Sequence, residues 1–190
     1  NGHREPLYIL ETMIQVFDDV LPKSDHVSIY NMVTSTYFPW YLAPQQLIEP
    51  PYKDKCFKHS QFCHVVYSHD KTNVRSDKFE FFEKYVGQMA RQYKIQGSLN
   101  RIKLNCQYQD NRNDSLYNPI HVDDFRPHTS LLYYINDSDG DTIYFKGNKE
   151  IQRVSPKANR LVIAKGPIHH CSSNPKKTEL RYVMNSVIMG

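Results

Sequence analysis

The chain has 190 residues, of which 39% are hydrophobic and 23% charged, and its net charge is +4 with histidine neutral. These values are ordinary for a globular protein, and a chain of this length can bury one sizeable core without disulfides or structural metals. No run of roughly five or six like charges predicts a nucleic-acid-binding arm, and no apolar run approaches the roughly 18 residues of a membrane span. We therefore expect one domain, no membrane segment and no nucleic-acid partner.

The four cysteines are Cys56, Cys63, Cys106 and Cys171, and none forms a C-x-x-C pair. A chain of this length does not depend on disulfides for its stability. We expect reduced thiols and a cytoplasmic protein.

The N-terminal part of the sequence is expected to contain an edge strand and a helix. Residues 8–21 are apolar with mixed periodicity, which predicts an edge strand at the start and a turn at the end. A helix is predicted over 24–35, where Val27, Tyr30 and Val33 recur at three-residue steps.

A second helix is predicted after a long irregular stretch that covers residues 37–75 and contains several prolines. Asp77 and Glu80 resemble a capping box at its start, and Gly97 is expected to end it. Apolar side chains follow at helical spacing and form one stripe. The stripe consists of Phe82, Tyr85, Val86, Met89 and Tyr93.

From Leu99 onward the sequence changes to short strand-like runs separated by turn residues such as Asn136-Asp137 and Gly166-Pro167. The predicted strands are 99–108, 118–123, 129–136, 141–146, 150–154, 160–165 and 180–189. So many short strands in sequence predict an antiparallel sandwich or barrel. Together with the preceding helices, they favour an α+β fold with a jelly-roll core and N-terminal helices packed on its outer face.

An H-x-D motif at His121 and Asp123 is the first candidate for metal binding. On a strand, residues i and i+2 point to the same face, so the imidazole and the carboxylate would converge. The third ligand would come from His169 or His170, since His128 is too close in sequence to return across a barrel. Two histidines and one carboxylate are typical of non-haem Fe(II) oxygenases. The alternative is a surface strand that happens to carry two polar residues.

Arg181 is the second candidate, eleven residues after His170 in the apolar run Leu180–Asn185. An arginine on a core strand must pair with something, and its planar guanidinium matches a carboxylate in bidentate fashion. The alternative is a structural ion pair with one of the 20 acidic residues.

The segments HVDD, YYINDSDGDTIYF and ANRLVIAKGPIHHCSSNPKKTELRYVMN make the sequence recognisable. They resemble the prolyl-4-hydroxylase-like branch of the 2-oxoglutarate/Fe(II) oxygenases, and most of all the small versions encoded by phages and marine microbes. The resemblance covers about residues 99–190, and FPWY at 38–41 is a weaker match. It implies a single oxygenase domain over 1–190, with a helical and loop part (1–98) before a double-stranded β-helix, or jelly-roll, core.

The resemblance also implies a role for particular residues. His121, Asp123 and His170 would hold the iron, with His170 preferred over His169 because in the similar phage proteins the distal histidine precedes the arginine by about this interval. Neighbours on a strand point to opposite faces, so His169 and His170 cannot readily both be ligands. Arg181 would bind the distal carboxylate of 2-oxoglutarate.

Further cosubstrate contacts are implied for Tyr134, Tyr108 and Thr142. The chain departs from the family at Val183, where the family often has serine. It also departs at Gly140, which is followed by aspartate where the family has a second glycine.

The implied reaction is hydroxylation of a C–H bond with O2, coupled to decarboxylation of 2-oxoglutarate to succinate and CO2, with ascorbate as an accessory reductant. Related halogenases lack the carboxylate at the position of Asp123, which favours hydroxylation. The expected substrate is a small molecule or a peptide, with proline as the first guess by analogy of fold.

Three other interpretations are weighed against this one. A nucleic-acid demethylase of the same superfamily would carry a second arginine at position 187, where this chain has Val187. A cupin-like metal protein or a non-catalytic jelly-roll binding module would not need Arg181. A zinc site would use Cys56, Cys63 and the histidines between and beside them, but their spacing is not a standard zinc pattern.

Overall fold

The computed structural model describes residues 13–43, 61–70, 73–110 and 117–190. It contains two helices, α1 (Lys23–Thr34) and α2 (Phe79–Gln92). Its strands are β1 (Ile14–Phe17), β2 (Tyr41–Ala43), β3 (Gln61–Ser68), β4 (Val74–Arg75), β5 (Ser98–Tyr108), β6 (His128–Tyr134), β7 (Thr142–Lys146), β8 (Lys149–Val154), β9 (Arg160–Lys165), β10 (His169–Ser172) and β11 (Leu180–Met189). Neither helix has the length and apolar content needed to cross a membrane.

Helix α1 lies within one residue of its predicted bounds, but its buried face differs from the predicted one. Ile29 and Val33, four residues apart, are fully buried, whereas Val27 and Tyr30 are 43% and 42% exposed. The i, i+4 pair lies on one face of a helix, and this spacing sets the contact with the core.

Helix α2 buries four members of the predicted stripe, namely Phe82, Tyr85, Val86 and Met89. The predicted capping box is wrong. The N-cap is Lys78 without a side-chain cap, and Glu80 instead accepts a hydrogen bond of 2.6 Å from Arg75 Nη2.

The predicted end of α2 at Gly97 is also wrong, because the helix stops at Gln92 and Lys94 adopts a positive φ of 54°. Gly97 serves the sheet instead. Its φ is 130°, and a Cβ there would collide with the backbone carbonyl of Met189 on the neighbouring strand.

The strands form a large antiparallel sheet in the order β1-β9-β6-β11-β5-β3-β2, with β4 paired to β3, and a smaller sheet in the order β10-β7-β8. An edge strand is predicted at the start of 8–21, where residues 8–12 lie outside the described range; the edge strand β1 lies later in this stretch. The irregular stretch expected over 37–75 is corrected in its described parts, because β2, β3 and β4 fall within it. β3 pairs with the distant strand β5, and β2 and β4 in turn pair with β3, which a local pattern does not reveal.

The strand predicted over 118–123 is not formed, and its place is taken by a single antiparallel bridge between His121 and His170. Pro119 has no N–H and cannot donate to a ladder at this point. The bridge partner belongs to β10, a strand that the sequence did not predict.

The main core lies between the two helices and one face of the large sheet. It brings Ile29 of α1 and Phe82 of α2 together with Leu104, Leu131 and Met184 of the sheet. A second cluster joins Leu132, Tyr134, Val162 and Val183, on the opposite face of the large sheet, to Tyr144 of the small sheet. Because successive side chains of a strand point to opposite faces, one face of the large sheet is covered by helices and the other faces the small sheet.

Candidate functional site

A cavity of about 250 Å³ opens on the face of the large sheet that lies away from the helices. Alternate residues of β5 and β11 form its floor, and residues 121–123 and β10 form a wall. The lining residues of the two floor strands are Arg101, Lys103, Asn105 and Gln107 on β5 and Arg181, Val183 and Asn185 on β11.

At one end of the cavity, His121, Asp123 and His170 offer ligand atoms that all lie within 4.8 Å of one another. The bridge between the two histidines is closed by both backbone hydrogen bonds, of 3.0 and 2.9 Å, and their rings are 4.6 Å apart between centroids. Residues opposite each other in an antiparallel pair point to the same side, so this bridge brings the two imidazoles together. Asp123, two residues after His121, completes the cluster.

Both imidazoles are oriented by the backbone. His121 Nδ1 lies 2.9 Å from the carbonyl of Pro119, and His170 Nδ1 lies 3.0 Å from the carbonyl of Ile168. A carbonyl can only accept, so each Nδ1 donates and each Nε2 keeps its lone pair for a metal. Burial, reinforced by the nearby His170, lowers the pKa of His121 to about 4, which keeps it in the neutral form that binds metals.

Asp123 is held by three side chains. Its carboxylate accepts hydrogen bonds from Arg101 Nη2 (2.5 Å), Ser130 Oγ (2.8 Å) and Asn185 Nδ2 (3.1 Å). Burial by itself would raise the pKa of this carboxyl, but His170, Arg101 and His121 together hold it far below its ordinary value. Asp123 is therefore ionised and fixed in orientation.

The other two histidines considered as ligands lie outside the cluster. On β10, consecutive side chains point to opposite faces, so His169 faces away from the side that His170 shares with Asp123. His128 is buried, and its Nδ1 lies 2.7 Å from the carbonyl of Arg126.

Arg181 lies four residues before Asn185, the residue of β11 that contacts Asp123, and is only 3% exposed. Its guanidinium donates three hydrogen bonds of 2.7 Å, to the carbonyl of Gly140, to Gln107 Oε1 and to Thr142 Oγ1. All three acceptors are neutral, and within the described part of the chain no carboxylate lies at ion-pair distance. A structural ion pair, the alternative considered for this arginine, is therefore absent from these residues. Within the described ranges, Arg181 is therefore a buried cation of the cavity without a counter-ion.

The remaining predicted cosubstrate residues differ in position. Thr142 lines the cavity, and its Oγ1 accepts a second hydrogen bond of 2.7 Å from the hydroxyl of the fully buried Tyr134. The Tyr134 ring lies 5.6 Å from the guanidinium of Arg181. Tyr108 does not line the cavity, because it occupies an even-numbered position of β5, and its ring lies near Phe62.

Sequence reasoning missed several residues of the site, above all Gln107, Lys103 and Arg101. The signal was present in the polar and apolar alternation of RIKLNCQ at 101–107, which places one polar residue at every second position. On β11 the same period of two from Arg181 reaches Asn185.

The zinc interpretation finds no support among the described residues, since Cys56 and His59 lie outside them. Cys63 is a free thiol, and the buried His64 has its Nδ1 2.8 Å from the carbonyl of Pro39. In the described ranges, the cluster of His121, Asp123 and His170 is the single group suited to a metal ion.

No family model matches this chain, and no curated protein matches it at a significant level. Solved structures do match it. An oxidoreductase of the 2OG-Fe(II) oxygenase family from Burkholderia pseudomallei aligns with a TM-score of 0.72 and 10% identity, covering 95% of this chain and 87% of its own. The fold is that of the 2OG-Fe(II) oxygenases.

Two further structures share this oxygenase fold. A prolyl hydroxylase from Trichoplax adhaerens, in complex with a hypoxia inducible factor peptide fragment, aligns with a TM-score of 0.64 and 13% identity, covering 96% of this chain and 86% of its own. HygX from Streptomyces hygroscopicus, with nickel, 2-oxoglutarate and hygromycin B bound, aligns with a TM-score of 0.56 and 13% identity, covering 98% and 86%. At these identities the likeness concerns the fold.

Proposed function

We propose that this chain is an Fe(II)- and 2-oxoglutarate-dependent dioxygenase that hydroxylates a C–H bond and converts 2-oxoglutarate to succinate and CO2. The observation that carries the proposal is the pairing, in one cavity, of the His-Asp-His cluster with Arg181, a buried cation that has no counter-ion among the residues the structure describes. A non-catalytic binding module, or a cupin-like protein that only holds a metal, would not need this arginine.

His121, Asp123 and His170 would hold the iron. Two neutral imidazoles and one carboxylate suit Fe(II) and leave coordination positions open for other ligands. The fit rests on two Nε2 lone pairs and an ionised carboxylate that converge in one place. Bound Fe(II) would supply the activation of O2 that is coupled to oxidation of 2-oxoglutarate.

Arg181 would bind the distal carboxylate of the cosubstrate. Gln107 and Thr142 hold the guanidinium in a fixed orientation, and Tyr134 holds Thr142 in turn. Because the guanidinium is already held in place, binding of the carboxylate would have a smaller entropic cost. The carboxylate would also supply a counter-ion to the buried guanidinium, which has none in the described part of the chain.

The apolar lining of the cavity would exclude water from the reacting centre. Leu132, opposite Asn185, and Val183, between Arg181 and Asn185 on β11, are apolar residues of the lining. Val183 occupies the position where the resembling family often has serine, so we propose that the cosubstrate makes one polar contact fewer here. Tyr108 is left out of the proposed site because it does not line the cavity.

We propose that the two sheets form a double-stranded β-helix, or jelly roll, within a single catalytic domain over 1–190. In this arrangement residues 99–190 form the core and the helices lie on its outer face. Support comes from the sheet order, with β9-β6-β11-β5 in one sheet and β10-β7-β8 in the other. The cluster that joins α1 and α2 to the large sheet supports the placement of the helices.

For the substrate, we propose a small molecule or a peptide, with a prolyl residue as the first guess and no nucleic acid. The neighbours with a bound peptide fragment or hygromycin B agree with this breadth. We also propose a cytoplasmic protein of phage or microbial type. The free thiols of Cys63, Cys106 and Cys171 support a reducing compartment.

The test is the visible charge-transfer band that forms when 2-oxoglutarate chelates bound Fe(II) without oxygen. We expect the band in the wild-type protein and in His169→Ala, and its loss in His170→Ala. Succinate formation with O2, with ascorbate as accessory reductant, should follow the same pattern. Iron binding without a band would favour the cupin-like alternative, and a protein that binds no iron would refute the oxygenase proposal.

A further inference from the structure

The cavity carries more positive charge than the proposed cosubstrate site uses. Its charged lining side chains are Arg101, Lys103, Arg181 and Asp123. Asp123 pairs with Arg101, and Arg181 is the proposed partner of the cosubstrate. Lys103 has neither role.

Lys103 lies on the cavity floor between Arg101 and Asn105, and its strand neighbours are Asn185 on β11 and Val65 on β3. Burial lowers the pKa of Lys103 from its ordinary value. In the described part of the chain its ammonium makes no hydrogen bond and no ion pair. A half-buried ammonium that faces a cavity without a partner is costly to the free protein, and an anion in the cavity would offset that cost.

Arg101 provides a second donor close by. Its Nη2 donates to Asp123 and, over 3.1 Å, to Asn185 Oδ1. Its Nε is buried and has no acceptor among the described residues. The Arg101 side chain as a whole is 26% exposed and lines the cavity beside Lys103, so its guanidinium adds positive charge next to that ammonium.

This position differs from the proposed site of the distal carboxylate. Gln107, which contacts Arg181, lies four residues from Lys103 on β5, about 13 Å along an extended strand. Lys103 is paired in register with Asn185, which contacts Asp123. Lys103 thus lies at the metal end of the cavity, where a substrate must approach, and Arg181 lies at the other end.

We propose that the substrate of this enzyme carries an anionic group, a carboxylate or a phosphate, which binds to Lys103 with support from Arg101. This inference rests on the proposed oxygenase function and specifies its substrate class. The hydroxylated carbon would then belong to an acidic metabolite or to a peptide with an acidic group near the reacting position. Neutral substrates would leave the ammonium of Lys103 unpaired.

The experiment uses the full chain loaded with Mn(II), which is paramagnetic, and with saturating 2-oxoglutarate. Acetate and inorganic phosphate serve as minimal probes, and paramagnetic relaxation of the acetate methyl protons and of phosphorus reports their approach to the metal. We expect enhanced relaxation of at least one probe in the wild-type protein and in Lys103→Arg. In Lys103→Gln the enhancement should fall at least fivefold. Enhancement with acetate alone or phosphate alone would support the proposal and identify the anion.

Lys149→Gln is the matched control, because it removes the same charge from an exposed position on β8 and should change nothing. Equal relaxation in Lys103→Gln and the wild-type protein would overturn the anionic subsite. A tenfold loss of 2-oxoglutarate affinity in Lys103→Gln would also overturn it, by assigning Lys103 to the cosubstrate. Failure of the wild-type protein to bind Mn(II) and 2-oxoglutarate is a separate result, and it would overturn the proposed function together with this inference.

Discussion

Replacing Arg181 by methionine tests the proposed cosubstrate site most directly. Methionine is close to arginine in length but has no charge and no N–H donors. The change removes a cation that is 3% exposed and donates three hydrogen bonds of 2.7 Å. We expect a large loss of 2-oxoglutarate affinity and only a small change in stability.

The expected loss of affinity follows from the burial of Arg181. Removing one partner of a buried, hydrogen-bonded charge pair costs about 2–5 kcal/mol. At about 1.4 kcal/mol for each tenfold change, the Kd for 2-oxoglutarate should rise roughly 30- to 4000-fold.

The stability change should be small because two effects oppose each other. Without the arginine, the backbone carbonyl of Gly140 and the side-chain Oε1 of Gln107 each lose a hydrogen-bond donor, which lowers the stability by about 1–3 kcal/mol for each oxygen. Thr142 keeps its bond from Tyr134. The substitution also removes the cost of burying a cation that has no counter-ion among the described residues, and this gain offsets the lost hydrogen bonds.

The assay is titration of 2-oxoglutarate into the Fe(II)-loaded protein without oxygen, with the charge-transfer band as readout and urea unfolding in parallel. Arg153→Met is the control, because Arg153 is 42% exposed and lies on β8. Its 2-oxoglutarate affinity should equal that of the wild-type protein. An Arg181→Met protein that is folded, binds Fe(II) and keeps a Kd within threefold of the wild-type value would refute the assignment of Arg181.

Three further predictions concern the fold and its titrating groups. Met89→Ala, at a fully buried position of α2, should lower the free energy of unfolding, measured in urea, by about 2–5 kcal/mol. Tyr30→Ala, on the exposed face of α1, should lower it by less than about 1 kcal/mol. Equal effects of the two substitutions would contradict the assignment of the core. Burial raises the pKa of the Cys106 thiol to about 11, so iodoacetamide at pH 8 should leave Cys106 unmodified in the folded protein and alkylate it after denaturation, as mass spectrometry would show. The pKa of His121 is lowered from 6.5 to about 4 in the folded protein, so on acidification the unfolded chain binds a proton at this histidine before the folded chain does. The free energy of unfolding of the metal-free protein should therefore decrease as pH falls from 6.5 to 4, by at most about 3 kcal/mol. The His121→Asn protein should lose this part of the pH dependence. If its free energy of unfolding changed with pH as steeply as that of the wild-type protein, the effect could not be assigned to His121.

Local pattern predicted the elements whose residues contact a core on one continuous face. Four residues of the predicted stripe are buried on α2, and β5, β6, β9 and β11 lie close to their predicted bounds. The helical spacing of the stripe and the alternation of polar and apolar residues in β5 each indicate one type of element, whereas β6 and β9 are short apolar runs set off by turn residues. The helix ends were predicted less well, because capping at Lys78 and termination before Lys94 depend on backbone geometry that several residue types can adopt.

The elements that the sequence missed depend on partners far along the chain. β3 forms because β5 lies beside it, and the metal-binding end of the cavity depends on a single bridge between His121 and His170. A strand predicted over 118–123 would have given the same convergence of His121 and Asp123 by a different route. In the structure, the bridge brings His121 to His170 without a ladder, and Asp123, two residues after His121, completes the cluster.

The sequence by itself determined which residue types are available for chemistry: the H-x-D motif, the paired histidines at 169 and 170, and one arginine on an apolar strand. Only the tertiary structure decided that His170 faces Asp123, that Arg181 has no counter-ion in the described residues, and that Lys103 faces the same cavity. The physical reason is that burial, and the presence or absence of a charged partner, are properties of residues brought together across two sheets. A local pattern records the face on which a side chain lies, but not what stands opposite it.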